Sequence, residues 1–119
     1  MNMKSIHFYR SASGHCPVEE FLDTLTDKQA QKATWTLQLI EDLPVVPAQY
    51  FKKLINTDDI WEVRVSSGNT IFRLLGFFEG DDAVILNHAF TKKTQKTPKK
   101  HIVLAEKRKA DYLNRKYST

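Results

Sequence analysis

Residues 70–78 read Thr-Ile-Phe-Arg-Leu-Leu-Gly-Phe-Phe, apolar on both faces of a strand except at Arg73. A run of that kind belongs in the middle of a sheet, so strands are expected on either side of it. Trp61, Val63 and Val65 alternate with Glu62, Arg64 and Ser66 just upstream, the period of a half-buried strand. Ser67-Gly68-Asn69 reads as the hairpin turn between the two. Downstream, Glu79-Gly80-Asp81-Asp82 turns the chain again, and residues 83–90 supply a third strand. Three consecutive strands with tight turns predict an antiparallel meander.

The first half of the chain has a different period. Ile6-His7-Phe8-Tyr9 is a short strand candidate, closed by the turn-forming Ser11-Ala12-Ser13-Gly14. Pro17 then opens a helix, with Val18, Phe21, Leu22 and Leu25 on one face and Glu19 and Glu20 at the positive end of its dipole. Thr26 and Gln29 have the spacing of a capping box. A second helix should run from there to about residue 43, with Ala30, Ala33, Leu37 and Ile40 on one stripe, until Pro44 and Pro47 stop it. Near the C-terminus, Thr97-Pro98 reads as an N-cap and N1 pair opening a helix to about residue 117, on a thin stripe of Val103, Ala110, Leu113 and Tyr117. The order β-α-α-β-β-β-α predicts an α+β single domain over residues 1–119, a mostly antiparallel sheet with helices packed on it.

Charge is distributed unevenly along that order. Residues 1–90 carry 8 basic and 12 acidic side chains, a net of −4, and residues 91–119 carry 10 basic and 2 acidic, a net of +8. A basic tail on an acidic body points to a polyanion as partner. A single cysteine, Cys16, excludes an internal disulfide framework and fits a reducing cytoplasm. The histidines at 7, 15, 88 and 101 lack metal-ligand spacing, and no apolar run approaches the roughly 20 residues of a membrane span. No metal or cofactor is implied, and no signal peptide precedes residue 6.

Several residues could carry chemistry. Arg73 is a guanidinium in an apolar strand, so it needs either an ion pair, for which Glu62 is the neighbouring choice, or an anion received on the sheet. Arg64 has the ordinary reading of a solvated strand arginine. His88, placed on a strand face with Val84, Leu86 and Phe90, has the unperturbed pKa of a general base but no visible partner. Residues 92–100 hold five cations (Lys92, Lys93, Lys96, Lys99 and Lys100), with Thr94, Gln95 and Thr97 as neutral hydrogen-bonding groups. Lysines oppose the dipole at a helix N-terminus, so local stability does not account for Lys99 and Lys100, and a docked phosphate would.

Three stretches together resemble the RelE/ParE toxin superfamily, in its phage-derived, HigB-like branch: Ile60-Trp61-Glu62-Val63-Arg64, then Ile71-Phe72-Arg73, then the run from Asn87 through His88-Ala89-Phe90-Thr91 to Lys92-Lys93-Thr94-Gln95-Lys96-Thr97-Pro98. The opening Gly14-His15-Cys16-Pro17-Val18-Glu19-Glu20-Phe21-Leu22 is similar to the same branch. The resemblance implies a toxin of a type II toxin–antitoxin system that cleaves mRNA on the ribosome and is neutralised by a HigA-like helix-turn-helix antitoxin. By position it sets Arg73 on the scissile phosphate, Arg64 at a strand lysine, and Lys92 and Lys93 at a Lys-Arg pair. The C-terminal tyrosine of RelE has no counterpart, and Lys99 or Lys100 stands near its place.

That reading implies attack of a ribose 2′-OH on the adjacent phosphate, with Arg73 and Lys93 stabilising the added charge. Repulsion within a lysine cluster lowers proton affinity, so one of Lys92, Lys96 or Lys99 could be the base, with His88 in reserve. Two other functions fit the same residues: a ParE-like, non-nucleolytic inhibitor of DNA gyrase, and a simple RNA-binding module, which calls for stacking aromatics on an exposed sheet face, whereas Trp61 and Phe72 can equally be core.

Overall fold

A computed structural model describes residues 3–93 and 96–118. Thr94 and Gln95, both expected in the phosphate-binding segment, lie outside the described residues. The elements are β1 (Ser5–Phe8), α1 (Pro17–Leu22), α2 (Asp27–Asp42), β2 (Phe51–Lys53), β3 (Trp61–Ser67), β4 (Thr70–Glu79), β5 (Ala83–Thr91) and α3 (Lys99–Tyr117). They form an α+β fold with one mixed five-stranded sheet of order β1-β5-β4-β3-β2. The β3-β4-β5 meander is antiparallel as expected, β4 is central, and β1 joins β5 in parallel.

The capping box forms as the sequence predicts. The Thr26 hydroxyl accepts from Gln29 N at 3.2 Å, and Gln29 Oε1 accepts from Thr26 N at 3.0 Å. These two bonds satisfy donors that the first turn of α2 otherwise leaves orphaned. From that fixed start, Ala33 and Ile40 are carried into the main core, where they meet Val18 of α1, Val63 and Val65 of β3, Phe72 and Leu74 of β4, and Val84 and Leu86 of β5.

Three expectations need correction. First, the sheet has a strand that the sequence did not announce: β2 pairs antiparallel with β3, setting Lys52 beside Glu62. Second, the half-buried reading of β3 fails, because helices lie against both faces of the sheet. α1 and α2 cover one side of the sheet, while α3 packs through Ala105, Tyr112 and Leu113 against Leu75, Phe77, Ile85 and Phe90 on the other. The polar-looking side of β3 is therefore covered as well, and Glu62 is buried with only 3% of its surface exposed. Third, Thr97 does not cap α3; the N-cap is Pro98, without a side-chain hydrogen bond, and the Thr97 hydroxyl goes elsewhere.

The register of β5 changes one more expectation. A bulge lies between Leu75 and Gly76, where Leu75 pairs His88 but Gly76 pairs Leu86. The extra residue shifts the alternation by one, so Val84 and Leu86 face α1 and α2 while His88 and Phe90 face α3. Gly76 is required there, because a Cβ would stand 2.1 Å from the Ile85 carbonyl oxygen. Trp61 and Phe72 are core, not a stacking surface: Trp61 stacks on Phe51 at 4.8 Å, and Phe72 is fully buried.

Candidate functional site

The β3-β4 hairpin fixes the first part of the site. Glu62 and Arg64 lie two apart on β3 and so share a face, and Arg64 is the direct cross-strand neighbour of Arg73 on β4. Like charges directly opposite each other destabilise a sheet. Among the described residues one carboxylate answers them. Glu62 Oε1 is 3.5 Å from Arg73 Nε and 3.7 Å from Arg64 Nε. The ion-pair reading of Arg73 is thus realised, on the partner the sequence suggested. The pairing is incomplete: among the described residues neither Nε finds a hydrogen-bond acceptor, although both atoms are buried. Arg73 also donates from Nη1 to the Phe72 carbonyl at 3.2 Å. Burial weakens the hold of Arg73 on its proton, the Glu62 charge opposes that effect, and Arg64 adds to it.

The other oxygen of Glu62 accepts a hydrogen bond from the Thr97 hydroxyl. This contact ties the basic segment after β5 to the sheet at the two arginines. Lys92 begins that segment, anchored by its own N–H to the Ile71 carbonyl at 2.8 Å. Its ammonium is held below the usual lysine range, first by burial and then by Arg73, with Arg64 and Lys52 contributing and Glu62 opposing. Lys92, Lys96, Arg64 and Lys52 line one cleft of about 390 Å³, together with Glu62 and Thr97. Arg73 is buried and is not among the lining residues; it reaches the cleft through its ion pair with Glu62, which is. Among the described residues, then, two arginines turn to Glu62, and Lys52, Lys92 and Lys96 line the cleft that it shares with Arg64.

Lys93, Lys99 and Lys100 are exposed and do not line this cleft among the described residues. His88 stands apart from it for the reason given by the bulge. Arg108 Nη1 donates to His88 Nδ1 at 3.3 Å, which leaves Nε2 as the protonated nitrogen, donating to His101 Nδ1 at 2.8 Å. Both ring nitrogens of His88 are occupied. Burial, then His101 and Arg108, bring its pKa down to about 4, so the imidazole is neutral and poorly basic at neutral pH. Among the described residues no three His, Cys, Asp or Glu side chains converge as a metal ion requires. Cys16 is buried at the start of α1.

Sequence reasoning missed Lys52 and the part played by Glu62. No periodicity marked Phe51-Lys52-Lys53 as a strand, so Lys52 had no place in three dimensions. Glu62 was visible as the partner of Arg73, but not as a buried hub joining Arg64, Arg73 and Thr97.

Fold and cleft together define a small mixed-sheet α+β protein with a strongly cationic recess beside the end of its central hairpin. The chain belongs to the family described as phage-derived protein Gp49-like (DUF891), a RelE-like toxin family, whose model matches residues 20–110. A toxin of that kind implies an antitoxin partner. No curated protein matches the chain. Among the described residues no helix is long and apolar enough to cross a membrane.

Proposed function

We propose that the cleft holds an RNA phosphate and that the protein is a ribosome-dependent endoribonuclease, the toxin of a type II pair with a helix-turn-helix antitoxin. The observation that carries this reading is the cross-strand arginine pair, with two buried guanidinium N–H groups that find no acceptor among the described residues. Buried donors without partners are costly, and positive charges collected around one carboxylate are worse. A phosphate oxygen entering between them supplies the missing acceptors and charge.

In the chemistry that follows, a base removes the proton of a ribose 2′-OH, and that oxygen attacks the adjacent phosphorus in line. The 5′-oxygen leaves, protonated by solvent or a nearby donor, and a 2′,3′-cyclic phosphate remains. Arg73 and Arg64 offer fixed positive charge to the phosphorane, as preorganised donors that need not reorient during the step. Lys92 is the base in this reading, because burial and Arg73 lower its proton affinity and it lines the cleft itself. His88 is set aside, its nitrogens being occupied. Expression from a tightly controlled promoter, with transcript ends mapped after induction, tests the proposal. New 5′-hydroxyl ends within translated regions are expected; full growth arrest with intact transcripts contradicts it, and inhibited DNA supercoiling would move the target to gyrase.

A further inference from the structure

The cationic cleft is not lined by charge alone. Besides Lys52, Arg64 and Lys92 it is lined by Leu54, Ile55 and Asn56 from the β2-β3 turn and by Ile102 from α3. Ile55 is 83% exposed, a large apolar side chain presented to solvent. Asn56 beside it has φ of 58°, a left-handed conformation that few residues adopt freely, and its amide has no hydrogen-bond partner among the described residues.

This exposure does not come from a loose loop. Leu54 N donates to Ile60 O at 2.8 Å, and the Thr57 hydroxyl bridges Leu54 O at 2.8 Å and Ile60 N at 3.1 Å. From α3, Glu106 accepts from Asp58 N at 2.9 Å, and Lys109 donates to Asp58 O at 2.7 Å. The turn is braced internally and from α3, and it still holds Ile55 and Asn56 outward. Neither side chain contributes to that bracing.

Resting on the reading of the cleft as a phosphate site, we infer that Ile55, Asn56 and Ile102 form a nucleobase subsite, so that the cleft takes one whole nucleotide of single-stranded RNA. The cationic side chains hold the phosphate, the two isoleucines cover a face of the unstacked base, and the Asn56 amide offers one donor and one acceptor group to its edge. Unpaired RNA is the ligand form that fits, because its bases can leave the stack and lie against a protein surface. The recess, about 390 Å³, falls in the size range of small-molecule sites. Phosphate contacts give affinity without sequence, whereas contacts to a base edge give preference.

The test uses the full chain and a labelled 2′-O-methyl RNA oligomer, which cannot be cleaved, beside the same backbone with abasic sites, in fluorescence anisotropy titrations over a range of salt. Ile55→Ala should weaken binding of the complete oligomer by about five- to tenfold, the low end of the range for contacts to a base. It should leave the abasic oligomer and the salt slope unchanged. Asn56→Gly, which keeps the left-handed backbone, should flatten the ranking among adenine, cytosine and uracil homopolymers. If the abasic oligomer binds the wild-type protein as tightly as the complete one, or Ile55→Ala changes nothing, the subsite is wrong while the phosphate site stands. If binding lacks salt dependence and Arg64→Ala leaves it unaltered, the phosphate site fails and the subsite with it.

Discussion

Arg64 and Arg73 stand directly opposite each other across the β3-β4 ladder, and both Nε atoms turn toward the same oxygen, Glu62 Oε1, at 3.7 and 3.5 Å. One carboxylate thus holds two guanidiniums that would otherwise repel, while both Nε donors find no hydrogen-bond acceptor among the described residues. The arrangement is poor for stability and well suited to receiving an anion. It also gives Glu62 two opposed effects if the proposed phosphate binds here, since the charge that steadies the arginines would compete with it for them.

Those effects separate in Glu62→Gln. Loss of the buried charge should lower stability by about 1–3 kcal/mol, as expected when one partner of a buried ionic cluster is neutralised. RNA affinity should rise, because the cleft gains one net positive charge. Urea unfolding and anisotropy titration on the same preparation check both signs; weaker binding by a folded Gln variant contradicts this view of Glu62.

In the proposed reaction Lys92 would set the pH dependence of cleavage. A base must be deprotonated, so the rate should climb as pH rises and level off once Lys92 has lost its proton, at a pH below that of an ordinary lysine. Lys92→Arg keeps the positive charge and removes the base. It should retain RNA binding within a few-fold and lose the rising limb of the profile, measured in single-turnover cleavage.

Acid should unfold the protein in two stages. His88, with its pKa lowered to about 4, is neutral in the folded state where an unfolded histidine would already be charged. Its contribution is present above the unfolded value near 6.5 and is lost as pH falls from there to 4. Glu79, held at about 2 by Lys116 first and then by the Tyr117 and Tyr112 hydroxyls, contributes above the unfolded carboxylate value and is lost as pH falls through its own. Chemical denaturation at stepped pH should show stability declining from pH 7 toward 4, and His88→Gln should flatten that decline.

Gly76→Ala tests the bulge that turns His88 and Phe90 toward α3. Its Cβ would meet the Ile85 carbonyl oxygen at 2.1 Å and Leu86 Cα at 2.8 Å, both backbone atoms of the neighbouring strand. Relief requires the two central strands to move apart, so a loss of about 2–4 kcal/mol or outright failure to fold is expected. A thermal melt within a few degrees of wild type would show that the bulge can relax.

How far the sequence could be read depended on whether the signal was local. The capping box of Thr26 and Gln29 and the turn at Gly68, with φ of 61°, are decided by residues a few positions apart. β2 is not: Phe51-Lys52-Lys53 has one apolar residue and no repeat, and it is held as a strand by its pairing with β3, which the bond from Arg64 N to the O of the preceding Tyr50 at 2.8 Å extends. Simple alternation put His88 with Val84 and Leu86, although Gly76 in an apolar strand was the available sign of a bulge. Thr97 had the form of an N-cap, but a buried carboxylate 35 residues earlier took its hydroxyl. Arg73 stood out because its chemistry conflicted with its surroundings. Lys52 and the outward-facing Ile55 gave no such local conflict.

The most direct test of the central claim is cleavage of a translated mRNA on purified ribosomes by the wild-type protein and by Arg73→Lys, with the product termini determined. Arg73→Lys keeps a charge on β4 but loses the guanidinium fork, and a matched melting curve establishes that it folds. The wild-type protein should yield 2′,3′-cyclic phosphate and 5′-hydroxyl ends within the ribosome-bound message, and Arg73→Lys should slow the reaction by about 100-fold or more, as removal of one oxyanion donor does elsewhere. Cleavage by the folded variant at the wild-type rate, or intact mRNA with active wild-type toxin, would contradict the assignment of this cleft.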